Sequence, residues 1–247
     1  MRNSITLFAM ASLGAMLSAC AATPVPEPLA SLPPAAAIQP ERVPALPEAI
    51  AFASIEELQA GMAQGRFTAV QLVGFYQARI ESIDRSGPNL RAVLALNPDA
   101  LRDAEALDLE RKAKGPRGPL HGIPILIKDN IETQDRMATT AGSLALKDNL
   151  TGRDAPLVAR LRAAGAIILG KTNLSEWANI RDGDSTSGWS AMGGLTRNPH
   201  ALDRSACGSS SGSGAAVAAG LAAAAIGTET DGSVVCPASM NGIVGLK

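Results

Sequence analysis

Aromatic residues are scarce in this chain: four Phe, two Trp and one Tyr, 3% of 247 residues. A core built from it must be filled by aliphatic and small side chains. Histidine is scarcer, at two residues. The usual base of a serine hydrolase is therefore available only as His121 or His200. His121 lies in a turn before an apolar run, and His200 follows Asn198-Pro199; both read as surface or turn-stabilising residues. The three Cys and two His show none of the usual ligand spacings, which excludes the common zinc sites. No metal and no cofactor is expected. The net charge is only −1, and no basic stripe marks a nucleic-acid surface. What remains is a chain that is 46% hydrophobic, enough for one or two globular domains with a real core.

The first 49 residues stand apart. Arg2 is the only charge before a mostly apolar run from Ile5 to Ala19. That run is too short for a spanning helix and reads as a secretory signal over 1–19. It ends Leu17-Ser18-Ala19-Cys20, which resembles the bacterial lipoprotein box. The resemblance implies cleavage before Cys20, lipidation of its thiol and a membrane anchor on the periplasmic side of the envelope. No Asp follows Cys20, which points to the outer membrane. Residues 20–49 hold Pro24, Pro26, Pro28, Pro33, Pro34, Pro40, Pro44 and Pro47. Such a stretch cannot bury a core and reads as an extended tether. The folded part is expected over 50–247.

Within it, Ser54-Ile55-Glu56-Glu57 and Thr68-Ala69-Val70-Gln71 both fit capping boxes. The first opens a helix stopped by Gly65, the second a helix running to Gly87-Pro88. Arg91 to Leu96 is a short strand, and Pro98 to Lys114 is helical. Ile123 to Ile127 and Ala166 to Leu169 are apolar runs bounded by turn signals, so buried strands. A helix from Asp154 to Gly165 lies between them. This alternation predicts an α/β domain with a sheet covered by helices. Asn179 to Gly208 is long and weakly periodic, which marks a functional or unstructured loop.

The chemistry concentrates near the end of the chain. Cys207-Gly208-Ser209-Ser210-Ser211-Gly212-Ser213-Gly214 and Gly227-Thr228-Glu229-Thr230-Asp231-Gly232-Ser233 flank a small-residue run, Ala215 to Ala225, that reads as a buried helix. Ser hydroxyls can attack if a base takes their proton. With both His set aside, Lys is the remaining base, provided burial lowers its pKa. Lys128 ends the most apolar strand, where desolvation is strongest.

These residues resemble the amidase signature family. The match runs through Leu120-His121-Gly122-Ile123-Pro124-Ile125-Leu126-Ile127-Lys128-Asp129-Asn130, Thr139 to Ser143, Gly170 to Trp177, Gly208 to Ser213, Ile226 to Ser233 and Asn241 to Lys247. Several separated motifs agree in order from about Ile55 onward, and Glu229 to Pro237 looks most like the bacterial peptide amidase branch. The resemblance implies a mixed sheet covered by helices. It implies a Ser–Ser–Lys triad hydrolysing linear C–N amide bonds through an acyl-enzyme. Ser233 would be the nucleophile, Ser209 the bridging serine after a cis peptide bond, and Lys128 the base. The backbone N–H groups of Thr230, Asp231, Gly232 and Ser233 would form the oxyanion hole, and Ser210 would assist by hydrogen bonding.

Two departures refine this. Asp231 replaces a Gly common in the family, and Val235 stands where Arg is common. Loss of that Arg favours a neutral or peptide-amide substrate over a carboxylate. The family pattern usually continues past Lys247 into a long C-terminal half, so the chain reads as C-terminally truncated. The alternatives are a catalytically inactive remnant and a glutaminase-type amidotransferase subunit. Cys207 and Cys236 read as two small buried residues; pairing them would require Cα atoms within about 7 Å. Met192 and Trp189 are either pocket-lining or packing residues, and Thr172 to Glu176 reads as a helix start with a scaffold role.

Overall fold

A computed structural model describes residues 46–247 apart from position 181. The signal segment, Cys20 and nearly all of the tether lie outside the described residues. Among the described residues, no helix is long and apolar enough to cross a membrane.

Both capping boxes form. Ser54 and Glu57 exchange hydrogen bonds at the start of α1 (Ile55–Ala63). Thr68 and Gln71 do the same for α2 (Ala69–Arg79). Each cap satisfies N–H groups that would otherwise lack partners, worth about 1 kcal/mol. The α2 terminus gains a second cap from tertiary packing, because the Asp108 carboxylate of α3 (Ala100–Lys114) accepts from Ala69 N and Val70 N at 2.9 and 3.1 Å. A π-helical turn, Ile80–Ser86, continues α2. It buries Asp84, whose carboxylate accepts from Ala92 N and Val93 N and so fixes the start of β1 (Val93–Leu96).

The central sheet has the order β1-β3-β2-β8. Strands β2 (Pro124–Lys128) and β3 (Ile167–Thr172) are buried along their whole length, as their apolar runs require. They pair in parallel, with α4 (Pro156–Ala163) in the crossover. Strand β1 pairs antiparallel with β3, which makes the sheet mixed. Strand β8 (Ala224–Ile226) pairs parallel with β2, Ile127 opposite Ile226. The core around the sheet is almost wholly aliphatic, with Leu58, Leu72, Ile80, Ile123, Leu126 and Ile168 fully enclosed.

Two sequence expectations are corrected here. The small-residue run is not one helix from Ala215 to Ala225. Helix α5 starts earlier, at Ser211, and ends at Ala218. Gly220 then turns at φ 63°, and the run continues as β8. Arg79 seals the junction by donating to the carbonyls of Ala219 and Gly220 at 2.9 and 2.8 Å. The Asn179–Gly208 segment is also more ordered than its composition suggests. It folds into two antiparallel pairs, β4 (Trp189–Ser190) with β5 (Gly194–Leu195) and β6 (Arg197–Asn198) with β7 (Ala201–Ser205). The chain closes with α6 (Val235–Met240).

Candidate active site

The C-terminal ends of parallel strands are where open α/β sheets place their ligands. Here β2 ends at Lys128, β3 at Thr172, and β8 leads into Gly227 and Thr228. The Gly/Ser loop before α5 lies over the same edge. Its approach depends on Gly212, where an added Cβ would sit 2.6 Å from both N and O of Asn173 and closer still to Ala92 O. The Gly208–Ser209 peptide bond is cis, as the family resemblance implies.

Lys128 is fully buried. Its Nζ lies 2.7 Å from Ser209 Oγ, 2.8 Å from Thr228 Oγ1 and 3.2 Å from Thr228 O. Burial alone, with no carboxylate to oppose it, lowers its pKa to about 7. A lysine so placed can lose its proton near neutral pH. Ser209 and Ser210 are buried as well. The Ser210 hydroxyl donates to Thr228 O at 3.1 Å and accepts from Thr228 N at 3.2 Å, which locks the two loops together. Ser210 N donates to the Ser233 carbonyl at 3.1 Å. Ser213 has a structural place, donating to Ile226 O at 3.0 Å and pairing with Thr172 Oγ1 at 2.8 Å.

Ser233 is half-buried on the turn before α6. Among the described residues, its hydroxyl has no hydrogen bond to Ser209; the loops meet through backbone and Ser210. The expected oxyanion donors divide. Gly232 N is already engaged, donating to Glu229 Oε1 at 3.1 Å. The Glu229 carboxylate also accepts from Val234 N at 2.6 Å and Val235 N at 2.9 Å. These backbone bonds, led by the one from Val235, hold its pKa down at about 2. The N–H groups of Thr230, Asp231 and Ser233 donate to no acceptor among the described residues. Glu229 therefore shapes the turn that carries Ser233 from within, by holding the N–H groups at the start of α6. Nothing in the sequence signals this, because Glu229 reads as one more polar residue in a polar loop.

Cys207 and Cys236 form a disulfide, with Cα atoms 5.9 Å apart. This corrects the reading of two unpaired buried residues: both are only half-buried, and each flanks one of the two serine loops. His121 is a buried turn residue. Its Nε2 lies 2.9 Å from Leu107 O, and its Nδ1 accepts from Arg117 N at 3.2 Å. His200 binds Asn241 O at 2.9 Å. Neither imidazole is among the hydrogen-bond partners of Ser209. Thr172 to Glu176 leads only into a short, irregular 3-10 turn, Glu176–Asn179, in which Trp177 and Ala178 take left-handed backbone angles. Thr172 ends β3, and Asn173 ties three segments together through Arg91 O, Gly194 O and Ser190 Oγ. Ser175 N donates to Ser209 O at 3.0 Å, so this segment braces Ser209 from the backbone side. Trp189 lines a polar cavity of about 490 Å³ with Glu176, Asn179 and Asp182. Met192 lies elsewhere, beside Asp84 and Arg91.

A buried lysine thus lies against a Gly/Ser loop at the end of a mixed sheet. The chain belongs to the amidase family, whose model matches residues 71–247. It is 48% identical over 197 residues to a probable amidase of Arabidopsis thaliana, covering 79% of this chain and 38% of that protein. It is 45% identical over 185 residues to a glutamyl-tRNA(Gln) amidotransferase component of Symbiobacterium thermophilum, covering 74% and 36%. The native peptide amidase of Stenotrophomonas maltophilia superposes with a TM-score of 0.75 at 59% identity, over 76% of this chain and 38% of that one. The chain thus spans less than two fifths of the length of these relatives.

Proposed function

We propose that this chain carries the triad-bearing part of an amidase that hydrolyses linear amide bonds through an acyl-enzyme on Ser233. The observation that supports this most is the buried Lys128 amine 2.7 Å from Ser209 Oγ, with no carboxylate to keep it charged. Neutral Lys128 accepts the proton of Ser209. Ser209 in turn accepts the proton of Ser233, whose oxygen attacks the amide carbon. The N–H groups of Thr230, Asp231 and Ser233 face the developing oxyanion, a contribution of about 3–4 kcal/mol for each effective donor. Gly232 joins them only when Glu229 releases it. The relay then returns a proton to the leaving nitrogen, and water cleaves the acyl-enzyme by the same path.

A neutral substrate of the peptide-amide kind suits the site. The position where the family often carries Arg is Val235, which offers no anchor for a carboxylate. The 59% identity to the Stenotrophomonas peptide amidase favours this over amidotransferase work, where the identity is 45%. The proposed location is the periplasmic side of the envelope, anchored through Cys20. The Cys207–Cys236 disulfide supports an oxidising compartment.

A fluorophosphonate probe tests the nucleophile. Labelling is expected on Ser233 and is expected to vanish in Lys128→Ala. Labelling that survives Ser233→Ala would overturn the assignment.

A further inference from the structure

Thr228 has no role in the relay above, yet it supplies two of the three hydrogen-bond partners of the Lys128 amine. Asn130 Nδ2 donates to the same Thr228 hydroxyl oxygen at 3.0 Å. Asn130 follows β2 and Thr228 follows β8, and the Ile127–Ile226 pairing sets them side by side.

We propose that Thr228, oriented by Asn130, is a positioning residue that holds the Lys128 amine in one place through both of its protonation states. The inference comes from matching donors to acceptors. An ammonium has three N–H donors and no acceptor. Around Lys128 stand three acceptors: Ser209 Oγ, Thr228 O and Thr228 Oγ1. A neutral amine has two N–H donors and one lone pair. The two Thr228 oxygens then take the two donors, and the lone pair receives the Ser209 proton. In the transfer, the Ser209 O–H bond breaks as an N–H bond forms on Lys128, and Ser209 recovers a proton from Ser233. No heavy atom of the cradle has to move. Only the proton on the Lys128–Ser209 axis changes sides, so little reorganisation accompanies it.

Other charges are turned away. Strand β8 and helix α5 carry none. Lys171 of β3 donates to Ile131 O and Thr139 Oγ1 on the opposite face of the sheet. Asp129 is bound to Thr140. Arg79 of α2 is spent on the carbonyls at the end of α5 and on Glu48. Glu229 is bound to the turn before α6 and to Lys247. Thr228 and Ser209 are thus the polar compensation for the ammonium.

This inference rests on Lys128 as the base. Its test needs no turnover. The 13Cε resonance of Lys128, assigned by its loss in Lys128→Arg, is titrated in this chain. Thr228→Val keeps the side-chain shape and removes one acceptor, so the midpoint is expected to fall by about one pH unit. Thr228→Ser is expected to restore it. Asn130→Ala is expected to lower it by less, because the hydroxyl stays but is no longer oriented. Where Thr228→Val does not fold, Thr228→Ala is read the same way. An unchanged midpoint in the folded variant, or a Thr228→Ser shift as large as that of Val, overturns the role of Thr228. No shift in Asn130→Ala overturns the role of Asn130. A wild-type midpoint near the ordinary lysine value of ~10.4 overturns the base assignment itself. Probe labelling of Ser233 is a separate readout, so the two failures are distinguishable.

Discussion

Lys128 and Lys171 are two fully buried lysines at the same end of one sheet, on adjacent strands, facing opposite ways. In the β2–β3 register, Lys171 pairs with Ile127, and Lys128 pairs with Thr172. Side chains alternate along a strand, so the two amines leave from opposite faces. Lys128 meets neutral oxygens only, and burial lowers its pKa to about 7. Lys171 donates to Ile131 O and Thr139 Oγ1. Burial lowers it too, but the Asp129 carboxylate on its side opposes the shift, and it stays higher, at about 8. One reads as a base, the other as a buried support for the 139–143 loop.

The first prediction separates the two. Amide hydrolysis measured as kcat/KM against pH is expected to fall on the acid side with a midpoint near 7, as Lys128 takes up its proton. Lys128→Met is expected to abolish activity at every pH, by at least ~10³-fold. Lys171→Met is expected to lower the melting temperature while leaving that acid midpoint in place. An acid limb that moves in Lys171→Met and not in Thr228→Val would reverse the two roles.

The second concerns stability. The folded-state pKa of Lys128, about 7, lies below its unfolded value of 10.5. The unfolded chain therefore binds more protons between these two values. Stability must rise with pH across that window, and the cost is fully present below about 7. Urea unfolding of wild type from pH 7 to 10 is expected to show this rise. Lys128→Met is expected to flatten it, with Lys171 leaving a smaller residual slope. A slope equal to that of wild type in Lys128→Met would mean that the amine is solvated.

How much of this is legible in the sequence depends on range. Capping boxes are local, three residues apart, and both are readable. The strand ending at Lys128 is readable because an apolar run bounded by turns has few other fates. Ser209 and Ser233 come through motif resemblance. Thr228 and Asn130 are not readable, because their contact spans 98 residues and exists only once β8 lies beside β2. The engagement of Gly232 by Glu229 is hidden for another reason: a short turn can point its carboxylate outward or inward, and only the position of α6 decides. The splitting of the Ala215–Ala225 run is hidden too, since Ala is a strong helix former depleted in strands, and only the turn at Gly220 and the pairing with β2 override that preference.

The third prediction uses the disulfide. Cys207 and Cys236 are 29 residues apart. Closing a loop of that size is worth about 3–4 kcal/mol in the chain-entropy account. Reduction, or the Cys207→Ser/Cys236→Ser double variant, is expected to lower stability by up to that amount. Labelling of Ser233 should slow more than the binding of a competitive inhibitor weakens, because the bond joins the two serine loops. Equal rates of labelling with and without a thiol reductant would remove the disulfide from the site.

The fourth tests the close approach at α5. Gly212→Ala would drive a Cβ into backbone atoms of Ala92 and Asn173, which cannot swing aside. It is expected to cost several kcal/mol, on the order of an overpacked core position, and to abolish probe labelling. Gly118→Ala is the control, since nothing lies within 4 Å of its added Cβ. It is expected to leave the melting temperature within about 2 °C. Similar behaviour of the two variants would show that the loop does not sit that close to β1 and β3.

The parallel pairing of β2 with β8 also sets a timetable. A ribosome finishes β2 well before it makes the threonine that Lys128 needs, since Lys128 and Thr228 are 100 positions apart. Until then the apolar strand has β3 on one side and an open edge on the other. Pairings of such range form late and slowly, and an open apolar edge invites wrong partners. A nascent chain that has not reached Thr228 holds a lysine with two of its three acceptors still unmade. Those acceptors arrive on the segment that also carries Ser233.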